Sequence, residues 1–149
     1  MNAIDLLEID HRLVLDLFKK IEDLKDENPA LRESLFVRIK TELSAHEAIE
    51  EEFLYPALAS NEKTKDIVLE SYQEHHVADL QIEEIAKLSA TDEVWNAKVK
   101  VLKETIEHHI DEEEFNLFPK GKTALSAEQL ENLGELMEDR KSELLPAAA

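Results

Sequence analysis

Cysteine is absent from the 149 residues, which removes disulfides, thiolate metal sites, iron–sulfur clusters and cysteine nucleophiles together. Glycine occurs twice and proline four times, too little punctuation for a many-stranded sheet and favourable to long helices. Positive charge is scarce: 17 Lys and Arg stand against 35 Asp and Glu, a formal net charge of −18. Such a surface repels phosphate backbones and anionic lipid, so neither nucleic acid nor a membrane is expected as a partner. No apolar run approaches the ~20 residues of a membrane span. The opening Met1-Asn2-Ala3-Ile4-Asp5 has neither the basic nor the apolar region of a secretory signal. A soluble, cytoplasmic protein is the expectation. What remains, 43% hydrophobic and 35% charged residues, suits the core and shell of one globular domain over residues 1–149.

Apolar residues recur at helical spacing in four long segments. The first runs from Ile4 to about Leu24, with Leu7, His11, Val14, Phe18 and Ile21 on its stripe. Asn28 is suited to cap, and Pro29 to begin, a second helix reaching about Ala59, with Leu35, Ile39, Leu43, His46, Glu50 and Phe53 on one face. The third covers roughly Thr64 to Leu88, with Val68, Tyr72, His75, Ala78, Ile82 and Ile85 in register. Ser89 or Thr91 would cap a fourth from about Asp92 to Leu117, carrying Leu102, Ile106, His109 and Glu113. Ser126-x-x-Gln129 is a capping box that opens a shorter fifth helix with Leu130, Leu133 and Met137 inward. The tail Leu145 to Ala149 is expected to fray. The fold class is therefore all-α: an up-down-up-down four-helix bundle with a short fifth C-terminal helix.

The chain echoes itself. His46-Glu-Ala-Ile-Glu50-Glu-Glu-Phe-Leu-Tyr-Pro56 matches His109-Ile-Asp-Glu-Glu113-Glu-Phe-Asn-Leu-Phe-Pro119, and Asp10-His11 and Glu74-His75 precede them on similar helices. Each long helix carries one histidine on its apolar stripe: His11, His46, His75 and His109. His76 and His108 point toward acidic positions instead and read as solvated or supporting groups. From His11 to the end of its helix is about 14 residues, and the return along the second helix to His46 is about 16. At ~1.5 Å per residue these climbs nearly cancel, and similar arithmetic brings His75 and His109 to the same level. Glu50 and Glu113 each lie one turn beyond a stripe histidine, so both can reach one central object. Four imidazoles and two carboxylates in an apolar core are costly unless cations compensate. This ligand set suits iron, manganese or zinc rather than calcium or magnesium. Two glutamates bridging two ions would leave about two histidines per ion.

On these residues the sequence resembles the hemerythrin-like family, specifically its HHE cation-binding domains, over almost the whole chain from Asp10-His11 through Pro119. The resemblance implies a four-helix bundle holding two iron ions in a non-haem di-iron centre, with zinc or manganese as substitutes. It implies His11, His46, His75 and His109 as histidine ligands and Glu50 and Glu113 as bridging carboxylates. Oxygen-carrying members have a fifth histidine where this chain has Asp79. The ligand set is closer to that of the di-iron proteins that repair iron–sulfur clusters, which usually carry a cysteine-bearing segment. The ferritin-like plan of two Glu-x-x-His motifs is met once, at Glu8-x-x-His11, without a second copy.

Three functions follow from such a centre. One is binding or sensing of a small diatomic or peroxide ligand: oxygen, nitric oxide or peroxide. Another is turnover of such a molecule, a peroxide- or nitric-oxide-reactive oxidoreductase. The third is an iron-handling or iron-centre repair/interaction module without turnover of its own. Tyr72 reads either as a hydrogen-bond partner for peroxide or as a core tyrosine, and Asp79 as an extra ligand, a proton relay or a solvated acid.

Overall fold

Asn2 starts the first helix by accepting the Asp5 amide at 2.9 Å, and α1 then spans Ala3–Leu24. The structure, a computed structural model, describes residues 1–146, so the expected fraying of Ala147 to Ala149 lies outside the described residues. Asn28, in the left-handed region at φ 52°, caps α2 (Pro29–Ile49) with its side chain, and Pro29 takes the first turn as expected. α2 continues without a break through a π-helical turn, Glu50–Leu54, into the short α3 (Tyr55–Leu58). α4 (Lys65–Ala86) returns, and α5 (Trp95–Glu112) continues through a second π turn, Glu113–Leu117, into α6 (Phe118–Ala124). α7 (Ala127–Leu144) begins at the Ser126–Gln129 capping box, whose two reciprocal bonds are 3.1 and 2.8 Å. Four rods thus run up, down, up and down with α7 laid beside them, and no strand occurs among the described residues. No described helix is long and apolar enough to cross a membrane.

The fourth rod begins three residues later than the sequence suggests. Neither Ser89 nor Thr91 caps it; their hydroxyls bond each other at 2.8 Å, and Asp92 accepts the Val94 amide instead. Buried Arg32 organises this corner. It donates to the Ala90 carbonyl and to Asn96 Oδ1, and its guanidinium lies 5.4 Å from the Trp95 ring centroid.

Both π turns have a visible cause. Pro56 and Pro119 have no N–H to continue an α-helical ladder, and their rings would crowd the carbonyl four residues back. The chain widens just before each proline: the Tyr55 amide bonds the Glu50 carbonyl and the Phe118 amide bonds that of Glu113, five residues back. The widening turns Tyr55 and Phe118 fully inward. Phe53, expected on the buried face, is only half-buried as a result.

Two apolar clusters form. One holds Val14, Phe18, Ile39, Ile82, Trp95 and Leu102 toward the α1–α2 and α4–α5 loops. The other holds Ile4, Leu7, Ile49, Leu54, Leu117, Phe118 and Met137 toward the chain start and α7. On every rod the stripe histidine falls in sequence between members of the two clusters, so the polar layer is sandwiched between two dry cores.

Candidate metal centre

His11, His46, His75 and His109 are all buried, and Glu50 and Glu113 are fully buried at 0% exposure. His76 and His108 are exposed, so each doubled histidine turns one ring inward and one out. The inner rings form two edge-to-face pairs, His11 with His46 and His75 with His109, at centroid distances of 4.9 and 4.8 Å.

Their inner nitrogens converge on the two glutamates. His46 Nε2 and His75 Nε2 lie 3.1 and 3.3 Å from Glu50 Oε1; His11 Nε2 and His109 Nε2 lie 3.1 and 3.3 Å from Glu113 Oε1. His75 Nε2 and His109 Nε2 face each other at 3.3 Å. Each glutamate therefore touches one histidine of each pair, the arrangement a bridging carboxylate needs. His11, His46 and Glu113 form one group able to hold an ion, and Glu50, His75 and His109 form another.

Each ring's outer nitrogen is held by a carboxylate. Nδ1 of His11 meets Glu114 at 2.7 Å, that of His46 meets Asp10 at 3.0 Å, that of His75 meets Glu51 at 3.0 Å and that of His109 meets Glu74 at 2.7 Å. A carboxylate only accepts, so each Nδ1 carries the proton and each Nε2 presents its lone pair inward when the ring is neutral. A carboxylate behind a ligating imidazole fixes its tautomer and raises its basicity.

The donor set fits metal ions. Two ligand atoms about 2.1 Å from one ion and about 90–110° apart lie about 3.0–3.4 Å from each other, which is the spacing found between these inner atoms. With the ring neutral, His46 Nε2 and the Glu50 oxygens are acceptors facing one another, buried with no hydrogen-bond partner. Leaving such groups unsatisfied costs about 1–3 kcal/mol apiece, a deficit that coordination removes. Without metal the cluster balances itself with protons. Burial disfavours a charged imidazole, yet Glu50 and Asp10 outweigh it and raise His46 to about 10. His75 and His109 are likewise raised against burial, chiefly by Glu50 and Glu113 respectively.

Tyr55 is the inner residue that the sequence reading missed. Its hydroxyl donates to Glu113 Oε2 at 2.7 Å and lies 3.3 Å from His75 Nε2. Tyr72, the tyrosine singled out from sequence, packs edge-on against Tyr55 at 5.3 Å and is only half-buried. Asp79 is exposed and joins neither group of inner ligands. Burial, together with Asp79 beside it, pushes the Glu47 carboxyl up to about 8 although His75 opposes the shift. The internal echo held the signal for Tyr55, which occupies the place of Phe118 in the second copy, and for the outer carboxylates, which occupy equal offsets in both copies.

A small cavity adjoins the cluster, lined by Val14, Leu43, Glu47, Ala78, Ile106 and Ile110 beside the four histidines. It leaves about 10 Å³ for the centre of a water-sized molecule, room for roughly one water or diatomic.

The sequence matches the hemerythrin HHE cation-binding domain over residues 2–121, and the chain belongs to that family. It is 30% identical over 144 residues to a DNA nickase of Nostoc sp., covering 97% of this chain but only 40% of that protein. It is 29% identical over 152 residues to the uncharacterised protein Rv2633c of Mycobacterium tuberculosis, covering 97% of this chain and 88% of the other. Its backbone is similar to the crystal structure of an HHE cation-binding domain-containing protein from Mycobacterium kansasii, a homologue of Rv2633c. The TM-score is 0.85 and the identity 26%, over 97% of this chain and 87% of that one. The family and the two His/Glu groups together support metal binding.

Proposed function

We propose that the chain is a non-haem di-iron protein that reacts with or senses a small molecule, namely oxygen, nitric oxide or peroxide. The ligands in this reading are His11, His46, Glu50, His75, His109 and Glu113. The observation that carries it is the convergence of four imidazole Nε2 atoms on two glutamates, with every Nδ1 held by a carboxylate. Iron is our reading within a set of imidazole and carboxylate donors that also suits zinc or manganese. An iron pair supplies redox electrons and Lewis acidity to a small ligand. The chain supplies the rest. Val14, Leu43, Ala78, Ile106 and Ile110 exclude bulk water from the cavity and limit its occupant to a diatomic or a peroxide. Glu47, protonated near neutral pH, holds a proton at the cavity wall. Tyr55 orients Glu113 through its hydroxyl.

The nickase activity named for the Nostoc relative belongs to a protein of which this chain spans 40%, and the −18 charge works against phosphate contacts. The test is elemental analysis followed by absorption spectra of the iron-loaded protein with oxygen, nitric oxide and peroxide in turn. Two irons per chain and a spectral adduct or peroxide loss are expected. Iron transfer to an apo-acceptor with no response to any of the three would favour iron handling instead.

A further inference from the structure

The two halves of the centre repeat each other in sequence, but the charges behind them do not. Asp10 precedes His11 as Glu74 precedes His75, and Glu114 follows Glu113 as Glu51 follows Glu50. All four carboxylates do the same thing, accepting the Nδ1 proton of a stripe histidine. Behind His11 and His46, however, each carboxylate is closed off by a cation. One Arg12 nitrogen reaches both oxygens of Glu114, at 2.6 and 2.5 Å. Lys141 of α7 donates to the second oxygen of Asp10, which is 4% exposed. Behind His75 and His109 no lysine or arginine pairs with Glu51 or Glu74 among the described residues. Only His108, 69% exposed, approaches Glu74, at 3.4 Å. His76, which stands where Arg12 stands in the other copy, makes no ion pair among the described residues.

We infer that Arg12 and Lys141 are positioning residues that make the two metal half-sites unequal, the His75/His109 half-site being the tighter. A carboxylate behind an imidazole pulls on the Nδ1 proton and makes Nε2 a stronger donor. A cation on that carboxylate withdraws the same electron density. The His11/His46 half-site has two outer negative charges balanced by two fixed positive ones. The His75/His109 half-site keeps two negative charges with nothing fixed against them. Water screens Glu51, which is 40% exposed, but Glu74 is 17% exposed and keeps most of its field.

The fold holds Lys141 in place. α7 lies so close to the chain start that a Cβ on Gly134 would stand 2.0 Å from the Met1 carbonyl oxygen. The Met1 ammonium pairs with Glu131 at 3.1 Å, and Arg140 pairs with Glu52 of the first π turn at 2.9 Å. The short fifth helix thereby becomes part of the metal site, through Lys141, Asp10 and His46 in series.

The inference rests on the metal-binding reading, and cobalt(II) titration of the metal-free full chain, followed by its visible bands, tests it without assuming iron. Two equivalents are expected in two resolved steps, with His109→Ala removing the tighter step and His46→Ala the weaker. Lys141→Met should tighten the weaker step by about tenfold or more, as changes behind ligating histidines do. Lys141→Arg should leave it unchanged. Arg12→Met, at a side chain that is 60% exposed, should act in the same direction without loading the core. Two equal steps, or a weaker step moved by neither neutral variant, would overturn the inequality. No cobalt uptake at all would overturn the metal-binding reading itself.

Discussion

Loading the centre with metal should expel protons, by an amount that the metal-free geometry sets. Each ligating Nε2 must be bare, yet the Glu50 and Asp10 carboxylates outweigh burial and leave His46 at about 10, so it carries both protons at pH 7. Removing one at three pH units below that value costs about 4 kcal/mol, at about 1.4 kcal/mol per unit. Apparent affinity should therefore rise about tenfold per pH unit from His46 alone, or about 300-fold between pH 6.5 and 9. His75 and His109 are raised too and steepen the slope. Calorimetric titration in buffers of different ionisation enthalpy counts the protons directly. The same shift bears on stability with a definite sign. A folded value of about 10 above the ordinary 6.5 stabilises the metal-free fold fully below pH 6.5, and the contribution is lost as pH rises through 10. The metal-free melting temperature should fall from pH 6.5 to 9 while that of the loaded protein holds. An affinity flat across that range, with no buffer dependence of the heat, would refute the reasoning.

Tyr55→Phe strips the donor from a buried oxygen of Glu113 and should destabilise the metal-free protein by about 1–3 kcal/mol, read from urea denaturation; unchanged stability would show that the bond contributes nothing. Gly134→Ala drives a methyl into the Met1 carbonyl and should cost about 1–3 kcal/mol, as overpacking does, with a lowered melting temperature as the measure. Chelation should leave the far-ultraviolet helical signal largely intact, because apolar clusters on both sides of the polar layer stay closed. A random-coil spectrum after chelation would place this chain with proteins that fold only around their metal.

Much of the bundle was legible because its signals are local. Helical periodicity set the four rods, and Asn28-Pro29 and Ser126-x-x-Gln129 marked starts that the structure keeps. What was lost depended on contacts between segments. Ser89 and Thr91 look like caps, but Arg32, 58 residues from Ala90, pins the corner and lets the helix start at Trp95. The π turns were lost for another reason. A proline stands ten residues after each histidine, but a regular spacing of 3.6 over the segment before it places Phe53 on the buried face and Tyr55 off it.

The inner residues of the site could be read because period and level select them twice over: a histidine on an apolar stripe is rare, and four at one height are rarer. The outer carboxylates offer no such contrast in a chain with 35 acidic residues. Asp10 matters because it meets His46, 36 residues away, and nothing local to Asp10 says so. The repeat could have supplied that information, since a residue with the same role in both copies must stand at the same offset in both. It could not have supplied Lys141. That residue lies on α7, outside the repeated unit, so its pairing with Asp10 is a property of how the fifth helix docks and of nothing in the duplicated sequence. Duplication builds two like half-sites; a difference inside the repeat, Arg12 against His76, and an element outside it, Lys141 of α7, tell them apart.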